Sequence, residues 1–265
     1  MSEARADKRH MVPAERRRQI LELLRERGSV SVETVEDLFG VSPMTARRDL
    51  GLLAEEGRAR RTHGGAVLPE LAAHEDSFDR RYEQDVAEKH RLAKAVVATI
   101  EPKETVFVDS SSTAYYVVRE IVDTGLAVTL LTNSLPAMSV IGSTDAPNVE
   151  LIGLGGSFRK LTRSFVGSET VREIHSFYAD RLVFSVKGIE PGGFLTDPDP
   201  LEAEVKRAMV ARARTVALVA AAQKFHERGL SVIVSADQVD RAFLADPPAE
   251  GVAILESAGV DVSSV

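Results

Sequence analysis

The sequence predicts an α/β protein: an N-terminal winged helix-turn-helix followed by a Rossmann-like, mostly parallel α/β domain. Three observations predict it. Residues 1–65 carry 13 Lys+Arg against 11 Asp+Glu, and residues 66–265 carry 20 against 29, so a slightly basic head is joined to an acidic body. In the head, three short helical patterns precede a basic hairpin pattern. In the body, short apolar runs alternate with helical ones. The head is expected to span 1–67, a linker 68–85 and the body 86–265.

At 265 residues the chain is long enough for two cores. No run approaches the roughly 18 apolar residues that cross a bilayer. The opening "MSEARADKRH" lacks the apolar region of a secretory signal, so a cytoplasmic protein with no membrane partner is expected. The absence of cysteine excludes disulfides, thiolate zinc sites and cysteine nucleophiles. His10, His63, His74, His90, His175 and His226 have no metal-ligand spacing, and neither metal nor cofactor is expected.

"AERRRQILELLRER", from Ala14 to Arg27, puts Ile20, Leu21, Leu23 and Leu24 on one helical stripe, and Gly28 follows as a stop. Ser31 is placed to cap a second helix, with Val32, Val35, Leu38 and Phe39 as its buried stripe and Gly40 at its end. Ser42 caps a third, with Pro43 at its first position, where the missing N–H is harmless. Two short helices joined through Gly40 and Val41 make a helix-turn-helix, and the third helix is the one offered to a groove.

Leu50 and Leu53 are needed for a core, so the early turn presents Ser42, Met44, Thr45, Arg47 and Arg48 to double-stranded DNA. Arginine suits both targets there, because its flat fork matches a guanine edge or a phosphate. "RARRTHGGAVL" reads as a wing whose Arg58, Arg60, Arg61 and His63 follow the phosphate backbone. The plain alternative is a solvated helix face on which Arg47, Arg48 and Asp49 make local ion pairs. The stretch "ERRRQILELLRERGSVSVETVEDLFGVSPMTARRDLGLLAEEGRARRTHGGAV" resembles the N-terminal winged helix-turn-helix of DeoR-family transcriptional regulators, with its recognition-helix run at Thr45 to Leu50 and its wing run at Arg61 to Ala66.

After a polar stretch, "EKHRLAKAVVATI" reads as a helix with Leu92, Ala93, Val96, Val97 and Ile100 inward. Strands are expected at 105–109, 127–133, 149–155, 181–186, 215–221 and 230–235, and helices at 113–122, 135–142, 167–175, 201–213 and 249–258. Near-continuous apolar strands of this kind belong to a buried parallel sheet.

In an open α/β sheet ligands bind beyond the carboxyl ends of the strands, and polar residues collect there: Asp109, Ser110, Ser111, Ser112 and Thr113; Asn133; Gly155, Gly156 and Arg159; Lys187. Hydroxyls and N–H groups at a helix start cradle a phosphate, and Arg or Lys completes the charge. Each residue also has a plain role: the Ser/Thr run and Asp109 as caps, the glycine pair as a turn, and Lys206 as an exposed ion pair with Glu202 four residues earlier.

The body resembles, in order, the C-terminal sensor domain of the same family, which is similar in fold to ribose-5-phosphate isomerases. The resemblance implies a regulator, most often a repressor, of carbohydrate genes. It implies operator DNA, a small phosphorylated sugar effector and a homo-oligomer, dimer or tetramer, as partners. It places the effector at Asp109 to Thr113, Asn133, Gly155, Gly156, Arg159, Lys187, Glu202, Lys206 and Lys224. Ser111 stands where the family usually has glycine, which stiffens the loop. Ala221 stands where it usually has aspartate, which removes an acceptor. Two other readings stay open: a DNA binder with a degenerate sensor, and an isomerase using Asp109, Glu202 and Lys206.

Overall fold

Ser31 and Ser42 each accept the N–H three residues on, from Thr34 at 3.0 Å and Thr45 at 3.3 Å, and these two caps set the frame of the head. The computed structural model describes residues 12–27, 29–62, 64–67 and 76–265. The chain divides into two units, Met1–Glu75 and Asp76–Val265. In the first, α1 (Pro13–Arg27), β1 (Ser29–Ser31), α2 (Val32–Phe39) and α3 (Pro43–Glu55) are followed by β2 (Arg60–Arg61) and β3 (Gly65–Val67). Gly40 ends α2 in the left-handed region at φ 61°, the conformation that favours glycine.

Ile20, Leu24, Val35, Leu50 and Leu53 are fully buried together. Leu38 departs from the expected stripe and is 39% exposed. Val32, Val35 and Phe39 already follow the i, i+3, i+7 line, and position 38 lies off it. The wing is also more than a hairpin, because β3 pairs with both β2 and β1 in antiparallel fashion. A Cβ at Gly65 would collide with the Val30 carbonyl of β1, so this glycine serves a close approach of backbones.

The second unit begins inside the expected linker. Ser77 caps α4 (Phe78–Glu83), the Phe78 N–H donates to the Leu161 carbonyl at 2.8 Å, and the Phe78 ring is buried. The linker reading therefore fails over 76–85, where aromatic burial overrides a polar sequence with little periodicity; residues 68–75 lie outside the described set. Next come α5 (Val86–Val97), β4 (Thr105–Val108), α6 (Ser112–Thr124), β5 (Val128–Thr132), α7 (Leu135–Ser143) and β6 (Val149–Gly153). A hairpin of β7 (Ser157–Arg159) and β8 (Ser164–Val166) leads to α8 (Ser168–His175) and β9 (Ala179–Phe184). Then follow β10 (Gly188–Ile189), β11 (Phe194–Asp197), α9 (Pro200–Val210), β12 (Ala213–Ala221), β13 (Ser231–Ser235), β14 (Arg241–Ala245), α10 (Ala249–Ser257) and β15 (Asp261–Ser264).

Seven strands form one sheet in the order β15-β14-β12-β9-β4-β5-β6, and every pairing is parallel. Alternation sends Val106 and Val108 to one face, against Leu92, Val96, Val117 and Ile121, and Phe107 to the other, with Leu182, Phe184, Met209 and Leu255. The run at 230–235 is a strand but not part of this sheet. As β13 it pairs antiparallel with β11, leaving Val232 48% exposed, as suits a sheet with one solvated face. Its expected place is taken by β14 and β15.

Candidate functional site

In the head, Asp49 orients α3 from behind. It is buried and accepts from Arg16 Nε at 2.6 Å and Arg17 Nη1 at 3.4 Å. It is thus unavailable to Arg47 and Arg48, which are exposed and make no ion pair among the described residues. Met44 beside them is 80% exposed, and Thr45 is half-buried. Ser42 sits at the end of this face with its hydroxyl engaged as a cap and 3.0 Å from Thr45 Oγ1. Arg61 of the wing donates through Nη1 to the Arg47 carbonyl at 2.7 Å, tying wing to helix. Arg58 makes an exposed 3.4 Å pair with Glu56. His63 and the side chain of Arg60 lie outside the described residues.

In the second unit the strand order reverses between β4 and β9, from which the chain builds outward in both directions. This is the switch point at which open α/β sheets take ligands. A cavity of about 80 Å³ lies there, lined by Ser111, Ser112 and Thr113 after β4, Ser185 to Lys187 after β9, and Ala221 at the end of β12 with Gln223 and Lys224 after it. Of the residues singled out in the sequence, Ser111, Ser112, Thr113, Lys187 and Lys224 meet at this cavity. The sequence reading missed Arg81, Lys89 and Glu227, which also line it.

Charge in the cavity is concentrated. Lys187 and Lys224 reach the two oxygens of Glu227 at 3.0 and 3.1 Å. Burial works against the Glu227 carboxylate, yet Lys224 and Lys187 hold its pKa below the usual value. Burial also lowers the pKa of Lys224, aided by Lys187 and Arg81 and opposed by Glu227. Lys89 is pulled down to about 8, first by burial and then by Lys224 and Arg81. Its Nζ donates to the carbonyls of Arg81 and of Gln84.

Ser111 fits without strain. At φ −71° it is the N-cap of α6, accepting from the Ala114 N–H at 3.1 Å and donating to Asp109 Oδ1 at 2.6 Å. No left-handed conformation is needed here, so glycine is not required.

The remaining expected effector residues do not line this cavity. Asp109 and Lys206 are buried beneath it; Lys206 Nζ is 2.6 Å from Asp197 Oδ2, 3.2 Å from Asp109 Oδ2 and 2.8 Å from the Ser185 carbonyl oxygen. Burial alone favours a neutral amine, but Asp197 and Asp109 outweigh it and raise the Lys206 pKa. Burial raises that of Asp109, with Lys206 and Ser111 opposing. The exposed Lys206–Glu202 pair is therefore not formed: Lys206 turns to Asp197, and Glu202 turns the other way. Glu202 accepts from Ser110 Oγ at 3.0 Å and Ser164 Oγ at 2.5 Å. Arg159 sits 3.1 Å from Asp199 and 3.8 Å from Glu202.

Asn133 is fully buried, its Nδ2 donating to the Phe165 carbonyl at 2.8 Å. The Gly155 N–H donates to Glu173 at 2.7 Å, and a Cβ on Gly156, at φ 140°, would collide with Thr170. The glycine pair is therefore held against α8. Asp197 and Asp199 were missed in the sequence. The legible signal was Asp199 before Pro200, since Asp199 caps α9 by accepting from the Leu201 N–H at 2.9 Å. Among the described residues no group of three or more His, Asp or Glu is placed to hold a metal, and no helix is long and apolar enough to cross a membrane.

Residues 16–71 match the family model of the DeoR-like helix-turn-helix domain, and residues 84–244 that of the DeoR C terminal sensor domain. The chain is 30% identical over 264 residues to the putative aga operon transcriptional repressor of Escherichia coli O157:H7, covering 98% of this chain and 97% of that one. It is 31% identical to the glycerol-3-phosphate regulon repressor of Escherichia coli K12, covering 90% and 93%. It is 32% identical to the HTH-type transcriptional regulator GlpR of Haloferax volcanii, covering 95% and 98%.

Proposed function

This chain belongs to the DeoR family of transcriptional regulators, and from that premise we propose that it is a repressor of carbohydrate genes whose hold on DNA is set by a phosphorylated sugar or related catabolite. The observation that carries the reading is the coexistence of two sites in one chain. One is a pair of exposed arginines, Arg47 and Arg48, at the start of a groove-reading helix; the other is a cationic cavity at the sheet's switch point.

DNA binding is the task of the head. Arg47 and Arg48 face outward with Met44 and Thr45, and Arg61 holds the wing beside them. Effector binding is the task of the cavity, where Lys187, Lys224 and the start of α6 offer positive charge and N–H groups to a phosphate. The effector acts by population shift, favouring a state in which paired heads no longer sit on successive half-sites. Such pairing calls for a homo-oligomer, because one small head gives mainly salt-sensitive, weakly selective binding. The place of action is the cytoplasm.

Catalysis is not part of this reading. An isomerase needs an acid or base within hydrogen-bond reach of its substrate. Glu202 and Lys206 are instead engaged with Ser110, Ser164 and Asp197, and neither lines the cavity.

A protection footprint on DNA upstream of the protein's own gene tests the reading. Two protected half-sites about 10–10.5 base pairs apart, or a multiple of that, are expected, weakened by one phosphorylated sugar. Uniform protection of any DNA, insensitive to every phosphorylated sugar, would instead describe a DNA binder with a degenerate sensor.

A further inference from the structure

Two lysines of the cavity share the single carboxylate of Glu227, and Lys89 donates to backbone carbonyls. Arg81 differs. It lines the same cavity, yet its Nε and Nη2 are buried and have no hydrogen-bond partner among the described residues. Buried charged donors without acceptors are costly, and a guanidinium is best satisfied by an anion with two oxygens in the plane of its fork. Ser112 and Thr113 of the first turn of α6 line the same cavity. Asp85 and Asp76 stand at the same cavity with partners of their own: Asp85 accepts from Gln223, another cavity residue, and Asp76 pairs with Arg80 at 2.9 Å.

The fold fixes Arg81 in this position. Ser77 caps α4, Phe78 is buried, and Tyr82 stacks between Phe78 and Tyr116 with ring centroids 6.2 and 5.5 Å away. Tyr116 Oη donates to the Tyr82 carbonyl at 3.2 Å, fastening α4 to α6. Lys89 secures the other end by donating to the Arg81 and Gln84 carbonyls. The guanidinium is thus held where a ligand at the start of α6 would meet it, with little order left to impose on binding.

We propose that Arg81 is the principal ligand for a phosphate dianion bound in this cavity. The proposal deepens the effector reading given above, and rests on it for the phosphate monoester as ligand class.

The test is calorimetric titration of the full-length protein with inorganic phosphate, and with glucose 6-phosphate against glucose to separate the free anion from its esters. Wild type is compared with Arg81→Gln, Arg81→Lys and Lys94→Gln, the last removing one exposed charge from α5 outside the cavity. Circular dichroism and melting confirm that each variant is folded, and Arg81→Lys serves if Arg81→Gln is not. Expected are unchanged phosphate binding for Lys94→Gln, a loss of tenfold or more for Arg81→Gln, and an intermediate loss for Arg81→Lys. Equal binding by wild type and a folded Arg81 variant would overturn the assignment, as would a wild type that binds neither phosphate nor its ester. If Arg81→Gln loses phosphate while operator DNA never responds to any phosphate ester, the site stands and the effector reading falls. If operator release by an ester persists in Arg81→Gln, the effector reading stands and the site falls.

Discussion

Arg61 Nη1 donates to the backbone carbonyl of Arg47 at 2.7 Å, so a wing residue is tied to the first half of α3. The bond is exposed, and as a contribution to stability it is worth about 0.5–1.5 kcal/mol at most. Its value lies in holding the wing in place. Arg61→Ala is expected to weaken operator and unrelated DNA by similar factors and to lower the slope of log affinity against log salt by about 1. Loss of specificity with an unchanged salt slope would assign Arg61 to a base.

Arg47 and Arg48 lie side by side on α3, and neither is neutralised by Asp49, which pairs with Arg16. Replacing the one that reaches a base with alanine is expected to cost roughly 1–3 kcal/mol and to relax preference at one operator position. Binding to a set of single-position operator variants reads this out. An equal loss on every sequence would mark a phosphate contact.

Lys206 lies between Asp197 and Asp109, all three buried. Lys206→Met leaves two carboxylates without a cation and is expected to lower unfolding free energy by roughly 3–5 kcal/mol. The Asp109 pKa is already raised by burial, and removing Lys206 takes away its main opposing influence. A raised folded-state carboxyl pKa means that the native state binds more protons, so stability rises as pH falls. The variant's deficit should therefore shrink between pH 7 and pH 5 in denaturant melts. A deficit independent of pH would show that lost packing, not charge, is responsible.

Lys89, pulled down to about 8, is expected to set the upper edge of phosphate binding at the proposed site. Burial, Lys224 and Arg81 hold it down, while Asp85 and Glu88 oppose them, and the Tyr116 ring lies 5.9 Å from Nζ. Above pH 8 the amine loses its charge and attraction for the dianion weakens. Below about pH 6 the phosphate monoester itself loses a charge. Affinity for a sugar phosphate should thus peak between about 6 and 8, and Lys89→Met should remove the alkaline fall. In the ligand-free protein the same depressed pKa gives the opposite trend: the buried charge weakens the fold below pH 8, and stability recovers as pH rises through that value. An alkaline fall retained in Lys89→Met would assign it to another group.

The head was legible because its signals are local. Ser31, Ser42, Pro43 and Gly40 mark helix ends within a few residues, and the structure uses each of them so. The parallel sheet was legible from its apolar runs, but its far edge was not: β14 is a short, alanine-containing run, "RAFLA", and β15 is polar, "DVSS". The antiparallel placing of β13 depends on its partner β11, 34 residues or more away in sequence, and no local pattern encodes it. The cavity was half legible. Its strand-end residues Ser111 to Thr113 and Lys187 follow from the switch-point rule. Arg81 and Lys89 come from helices ahead of the first strand of the sheet, which that rule does not search. Asp109, Glu202 and Lys206 have the residue types of a ligand site, and only the structure reveals that Lys206 pairs with Asp109 and Asp197 while Glu202 is held by Ser110 and Ser164.

The most direct test is a fluorescence anisotropy titration of the full-length protein on its own promoter DNA, at two salt concentrations, with and without a panel of sugar phosphates. The expected result is tight, sequence-dependent binding that weakens with salt and is shifted by one phosphorylated sugar but not by its unphosphorylated parent. Binding no tighter to that DNA than to an unrelated sequence, with no response to any member of the panel, would contradict it.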